Sequence, residues 1–226
     1  MKKIVTLCCS MLAMITLAKA QSPSSIVMHS HDFFVVQLSY DTWVGAPDSM
    51  HIGGLSRGVN IAFMYDFPVK EGSHFSVAPG LGISSSNIFF KNQTLGIGQV
   101  SPTLDFRRDS SYKHYKLATT FLEIPIEFRY RQFSDNANKG FKAGIGLKFG
   151  TLLNAHTKGK KIVSGGKQVE KTGDKRYFQT WRVAATARIG WGNVSLFTSY
   201  SLTPLLKQTA GPKFNTLSVG LCLSGL

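Results

Sequence analysis

The sequence predicts an all-β fold: a closed, antiparallel, up-and-down transmembrane β-barrel of about eight strands. Three observations predict it. Period-two alternation of apolar and polar residues recurs from about residue 33 to the end. The connections between alternating runs are long and short by turns. No stretch of about 18 apolar residues follows the N-terminal leader, which excludes a transmembrane helix and leaves strands as the only way to cross a bilayer. Mean hydropathy near zero fits, because lipid-facing and lumen-facing residues cancel.

The elements follow in order. Lys2 and Lys3 form a basic start, residues 4–17 an apolar stretch, and Ala18-Lys19-Ala20 a small-x-small cleavage site. Residues 1–20 are therefore read as a signal peptide of bacterial type, residues 21–31 as a periplasmic lead-in, and residues 32–226 as the barrel. Cys8 and Cys9 fall in the leader. Only Cys222 remains, so no disulfide framework holds the exported chain.

The first strand is expected at residues 33–44 and the second at 57–67, where Val59, Ile61, Phe63, Tyr65 and Phe67 share a face opposite Asn60, Ala62, Met64 and Asp66. A third covers residues 75–86. The fourth, residues 120–131, sets Leu122, Ile124, Ile126, Phe128 and Tyr130 against Glu123, Pro125, Glu127, Arg129 and Arg131. The fifth, 141–150, sets Phe141, Ala143, Ile145, Leu147 and Phe149 against Lys142, Gly144, Gly146, Lys148 and Gly150. The last three are read at 181–190, 194–202 and 217–224. Pro79 and Pro125 remove ladder donors, so bulges are expected there.

Connections at 45–56, 87–117, 154–176 and 203–213 are longer than those at 68–74, 133–139 and 191–193. Short periplasmic turns and long outer loops are the membrane-barrel pattern, and parity puts the long ones outside if the chain starts in the periplasm. A ten-stranded barrel stays open if residues 87–117 extend a hairpin.

Alternation alone does not say which face is inside, and a soluble lipocalin-like barrel would be apolar within. Inversion is favoured by the glycines and alanines among large charged residues on the polar face. It is also favoured by the presence of both signs there: Glu123 and Glu127 with Arg129, Arg131, Arg182 and Arg188. These six are expected to form a structural charge network in the lumen. Tyr65, Phe67, Tyr130, Phe133, Phe149, Tyr177, Trp181 and Tyr200 near strand ends suit interfacial girdles, or simply the β-propensity of aromatics.

The run Leu122-Glu123-Ile124-Pro125-Ile126-Glu127-Phe128-Arg129-Tyr130-Arg131 resembles the Leu-x-Ile-Pro strand of the PorT-like outer-membrane barrels of Bacteroidetes. Phe141-Lys142-Ala143-Gly144-Ile145-Gly146 resembles that family's next strand. The resemblance implies a barrel and, for the namesake, a part in type IX secretion. It carries no catalytic set. The end, Ser224-Gly225-Leu226, lacks the terminal aromatic usual in outer-membrane barrels.

The remaining chemistry is sparse. Formal charge is +14, and without Lys2, Lys3 and Lys19 it is +11. In an exported chain with dispersed charge this points to lipopolysaccharide or acidic glycans, not nucleic acid. The densest run is Lys158, Lys160, Lys161, Lys167, Lys171, Lys175 and Arg176. It is read as a contact for anionic surfaces or as an ordinary solvated loop. Envelope proteins, secretion machinery included, are the other partners expected. His29-x-His31 lacks further ligands, so no metal is expected. Gly80-x-Gly82 and Gly144-x-Gly146 lack the strand-to-helix setting of a phosphate loop, so no cofactor is expected. An enzyme is not expected. The alternatives are a lipid-modifying or hydrolytic outer-membrane enzyme using His114, His156 and Ser164 with Asp105, Asp109 or Glu170, and a ligand-binding or adhesive barrel using the outer loops.

Overall fold

A computed structural model describes residues 33–134, 136, 138–163 and 166–225. The leader and lead-in expectations, with His29 and His31, lie outside these residues. The described residues form twelve strands: β1 (Phe34–Val44), β2 (Arg57–Met64), β3 (Phe67–Pro68), β4 (Phe75–Phe90), β5 (Gln93–Leu95), β6 (Phe106–Arg108), β7 (Tyr112–Arg131), β8 (Phe141–Val163), β9 (Gly166–Gly173), β10 (Trp181–Trp191), β11 (Val194–Ser201) and β12 (Asn215–Ser224).

Eight of them close a ring. β1 pairs with β2, β2 with β4, β4 with β7, β7 with β8, β8 with β10, β10 with β11, β11 with β12, and β12 returns to β1, every pair antiparallel. Closure leaves no free edge in the ring, which a bilayer demands. β5 and β6 form a separate two-stranded sheet, so the hairpin within residues 87–117 exists without adding to the ring. Both chain ends of the ring share one rim with the short turns. That rim is the periplasmic one by the loop-length rule. Gly192 makes the tightest of these turns with a positive φ of 59°.

Side-chain parity gives the wall an inverted polarity over its lower part. Leu38, Ile61, Phe63, Leu81, Ile83, Ile124, Ile126, Ile145, Leu147, Leu196 and Leu221 are exposed on the outside, while Glu123, Glu127, Arg129, Lys142 and Lys148 are buried inside. A soluble barrel is ruled out on this ground, since that much contiguous apolar surface is stable only against lipid. At the periplasmic rim the aromatics pair round the outside. Phe33–Tyr65 stand 5.5 Å apart, Tyr65–Phe67 4.8 Å, Phe75–Tyr130 5.3 Å and Tyr130–Phe141 6.3 Å. Tyr177 is not part of a girdle. It is buried in the outer half, where its hydroxyl lies 2.6 Å from the Gln99 carbonyl oxygen and 2.9 Å from that of Ser101, with one proton to donate between them.

Three expectations need correction. Residues 154–176 are not a loose loop: β8 runs on to Val163 and returns as β9, a ribbon standing above the ring. Residues 87–117 likewise lengthen β4 and β7. The prolines cause no bulge. Pro79 stays in register with Ile126, and only the facing positions between that pair and Gly82–Glu123 drop out of the ladder, because Pro125 has no donor. The bulges lie elsewhere, between Thr120 and Phe121 opposite β8 and near Tyr112.

The first bulge matters most. Phe121 pairs with Leu152 and Thr120 with Asn154, so Leu153 is the extra residue. Below it, even-numbered residues of β8 face inward. Above it, Ala155, Thr157 and Gly159 do. Above the bulge the interior is no longer charged. Trp43, Phe90, Ile97, Leu117, Phe121, Phe178, Leu206 and Phe214 lead an apolar core that fills the outer mouth. Trp43 stacks on Phe214 at 4.3 Å.

Candidate functional site

The lumen is the first feature with chemistry. Glu127 lies between two guanidinium groups: Arg129 Nε donates to its Oε2 at 3.0 Å, and Arg188 Nε stands 3.1 Å from the same oxygen. Arg129 Nη1 donates to Asp66 Oδ1 at 2.7 Å, and Arg131 Nη1 is 3.4 Å from Asp66 Oδ2. Higher up, Glu123 binds Arg182 and lies 3.8 Å from Lys148 Nζ. Lys148 also donates to Gln37 Oε1 at 3.0 Å, which Asn60 shares at 3.0 Å. Arg182 packs over the Phe121 ring at 4.0 Å, where the charged layer meets the apolar cap.

The structure thus brings together all six lumen residues read from the sequence. Parity carries the signal for three more: Asp66, Lys142 and Lys148 lie on the polar faces of their runs and are buried in the same interior. Lys142 donates to Ser224 Oγ at 2.8 Å. Asp41 is a further buried carboxylate, held by the Ser39 and Ser86 hydroxyls. The glycines of β8 make this packing possible. A Cβ at Gly144 would sit 3.3 Å from Arg188 Nε, and one at Gly150 3.2 Å from Glu123 Cγ. What remains open is a void of about 40 Å³ lined by Gln37, Asp41, Asn60, Glu123, Lys148 and Arg182. That is room for a few water molecules and not for a solute path.

The basic run does not form one surface. Lys158, Lys160 and Lys171 face outward from the ribbon. Lys161 is on the opposite face, bound to Glu170, with its ammonium 5.6 Å from the Tyr112 ring centroid. Lys167 is exposed near the ribbon tip and Lys175 at its base. Arg176 Nη2 lies 2.7 Å from Asp174 Oδ2, and the guanidinium covers the Tyr177 ring. The Tyr112 hydroxyl donates to Glu170, and this carboxylate pushes the phenol pKa up to about 12. Lys161 and Tyr112 in turn hold Glu170 below the usual carboxylate range.

The candidate hydrolytic residues do not converge as a set. His114 and His156 are on the outward faces of β7 and β8, Glu170 is on the other side of the ribbon, and Ser164 lies outside the described residues. Glu170 lines a cleft of about 500 Å³ with Arg107, Asp109, Tyr112 and Thr172, between β6 and the ribbon. Among the described residues no cluster of three or more His, Cys, Asp or Glu is arranged to hold a metal ion.

A family described as outer membrane protein beta-barrel domain matches residues 35–207. Among solved structures, the chain is similar to the crystal structure of Ail, the attachment invasion locus protein of Yersinia pestis. Identity is 14%, the TM-score is 0.37, and the match covers 84% of this chain and 95% of that one. No curated protein matches the sequence.

Proposed function

We propose that this chain, which belongs to the outer membrane protein β-barrel domain family, acts by what it presents at the outer membrane and not by what passes through it. The observation that carries this reading is a lumen closed at two heights. The charge network around Glu123 and Glu127 fills the lower part, and an apolar core from Trp43 to Phe214 fills the mouth. An eight-stranded ring has space only for side chains. A solute path would require both layers to leave. The protein reconstituted in a planar bilayer should therefore show no large stable conductance, and a steady open channel would overturn the proposal.

Within that role we favour an interaction partner in type IX secretion. What supports it is the resemblance of residues 122–131 and 141–146 to PorT-like barrels of Bacteroidetes. The upper part of β8 carries β9, whose outer edge pairs with no strand among the described residues and offers a partner a strand edge. Crosslinking in intact outer membranes followed by mass spectrometry should recover secretion-machinery subunits. Recovery of background proteins alone would remove this assignment and leave the closed barrel standing.

A further inference from the structure

We propose that the outer wall formed by β4, β7, β8 and β9, just above the apolar belt, binds a phosphorylated lipid headgroup of the outer leaflet through Lys116, Lys158 and Lys171. The inference rests on the membrane seat of the barrel and not on the secretion role.

Register is the first argument. Phe89 lies opposite Lys116, Lys116 opposite Lys158, and Lys158 opposite Lys171, so one row crosses four strands on the outward face. Side chains directly opposite on one face are neighbours about 5 Å apart, and like charges so placed destabilise a sheet. Three ammonium groups in line are thus an arrangement that folding alone opposes. The flanking rows add to it, with His156 on the membrane side and His114 opposite Lys160 on the outer side. Arg57 and Lys116 both cover the Phe89 ring, at 5.9 and 5.7 Å.

The second argument is what the face lacks. No carboxylate of β2, β4, β7, β8 or β9 accompanies these cations. Glu170 is on the other side of the ribbon with Lys161 and Tyr112, and Glu123 and Glu127 are in the lumen. Burial, then Lys158, Arg57 and Lys160, push the Lys116 ammonium below its ordinary pKa. Burial, then Lys171, Lys116 and Lys158, do the same to His156. The local field is positive and unbalanced.

Height is the third. From Tyr130 in the periplasmic girdle to Lys116, β7 climbs fourteen residues. At about 3.3 Å per residue and a tilt near 40°, that is roughly 35 Å, against an apolar band of about 25 Å. The row therefore stands about 10 Å beyond the hydrocarbon, at the depth of phosphorylated headgroups. A phosphate offers a multiply charged group with several acceptor oxygens, which suits adjacent ammonium donors.

The test is native mass spectrometry of the full mature chain in detergent, titrated with phosphorylated lipid A or with dephosphorylated lipid A. The phosphorylated form should stay bound. The variant carrying Lys116→Gln, Lys158→Gln and Lys171→Gln should lose roughly a hundredfold in affinity. A control carrying Lys70→Gln, Lys139→Gln and Lys213→Gln, with the same charge removed elsewhere, should bind like the parent. Heat-modifiable gel mobility reports folding separately, and the first variant should melt higher than the parent without lipid because its repulsion is gone. Equal binding of dephosphorylated lipid A, or unchanged binding by the first variant, would overturn the proposal. So would displacement by inorganic phosphate at matched concentration, which would mark a free-phosphate site, or preference for a sulfated glycan, which would mark a polysaccharide surface.

Discussion

Glu123 shows what a single side chain does in this barrel. It is 1% exposed and holds Arg182 and Lys148 together. Replacing it by Gln leaves two cations facing each other in a closed lumen. The cost should be about 3–5 kcal/mol, the usual penalty for breaking a buried pair, read as a drop in urea stability of the protein folded in lipid vesicles. Tyr112 offers a titration instead. Its phenol pKa is raised to about 12 by Glu170, so the folded state keeps that proton more tightly than the unfolded one. This contribution is fully present below the ordinary phenol value and is lost as pH rises through about 12. Glu170 is the opposite case. Its carboxyl is lowered, so its contribution is present above the ordinary carboxylate value and lost as pH falls. The ultraviolet titration should lose one late component in Tyr112→Phe, leaving that of Tyr115, which burial raises, and the Tyr112 component should move earlier in Glu170→Gln. If both variants titrate like the parent, the tie between ribbon and β7 does not exist in solution.

β8 is the element that decides the shape of the outer half. One extra residue, Leu153, moves the inward face from Gly150 and Leu152 to Ala155 and Thr157. Deleting Leu153 should make β8 one regular strand in which Ala155 and Thr157 still face inward, because the slip consists of that one residue. The belt below does not depend on that residue. The deletion variant should therefore still insert and shift on heating in a gel, and amides of residues 154–163 and 166–173 should keep their protection in hydrogen exchange. Lost protection would mean that the local twist of the bulge, and not the facing of these residues alone, sets the cap. The same bulge explains why sequence reading ended the strand early. Alternation is recognised by its phase, and a phase slip at Leu153 looks like the start of a loop. The lower strands have no such slip, and the expected bounds 33–44 and 181–190 lie within one residue of the observed Phe34–Val44 and Trp181–Trp191, as does the expected start at residue 141.

At the scale of the whole molecule, the polarity of the wall reverses along its height because the solvent does. Two isoleucines of β8 test this. Ile145 is 65% exposed and Ile162 62%, so isolated burial cannot tell them apart. Ile145 lies in the belt and Ile162 near the tip of the ribbon. Ile145→Arg should cost about 2–4 kcal/mol in vesicles, as charge at the bilayer midplane does, and Ile162→Arg close to nothing. Equal costs would refute the seating of the barrel. The sequence by itself determined the ring and its orientation, because period-two alternation, loop-length parity and paired charges on one face are all local patterns that survive in one dimension. It also put Glu123, Glu127, Arg129 and Arg131 on a common face. Only the tertiary structure decided which cations those acids meet, since Arg182, Arg188 and Lys148 arrive from other strands and register is a relation between strands. It alone divided the lysine-rich run between two faces and aligned Lys116, Lys158 and Lys171 across three strands. Contacts of that kind depend on hydrogen-bond pairing at a distance, which no single stretch of sequence encodes.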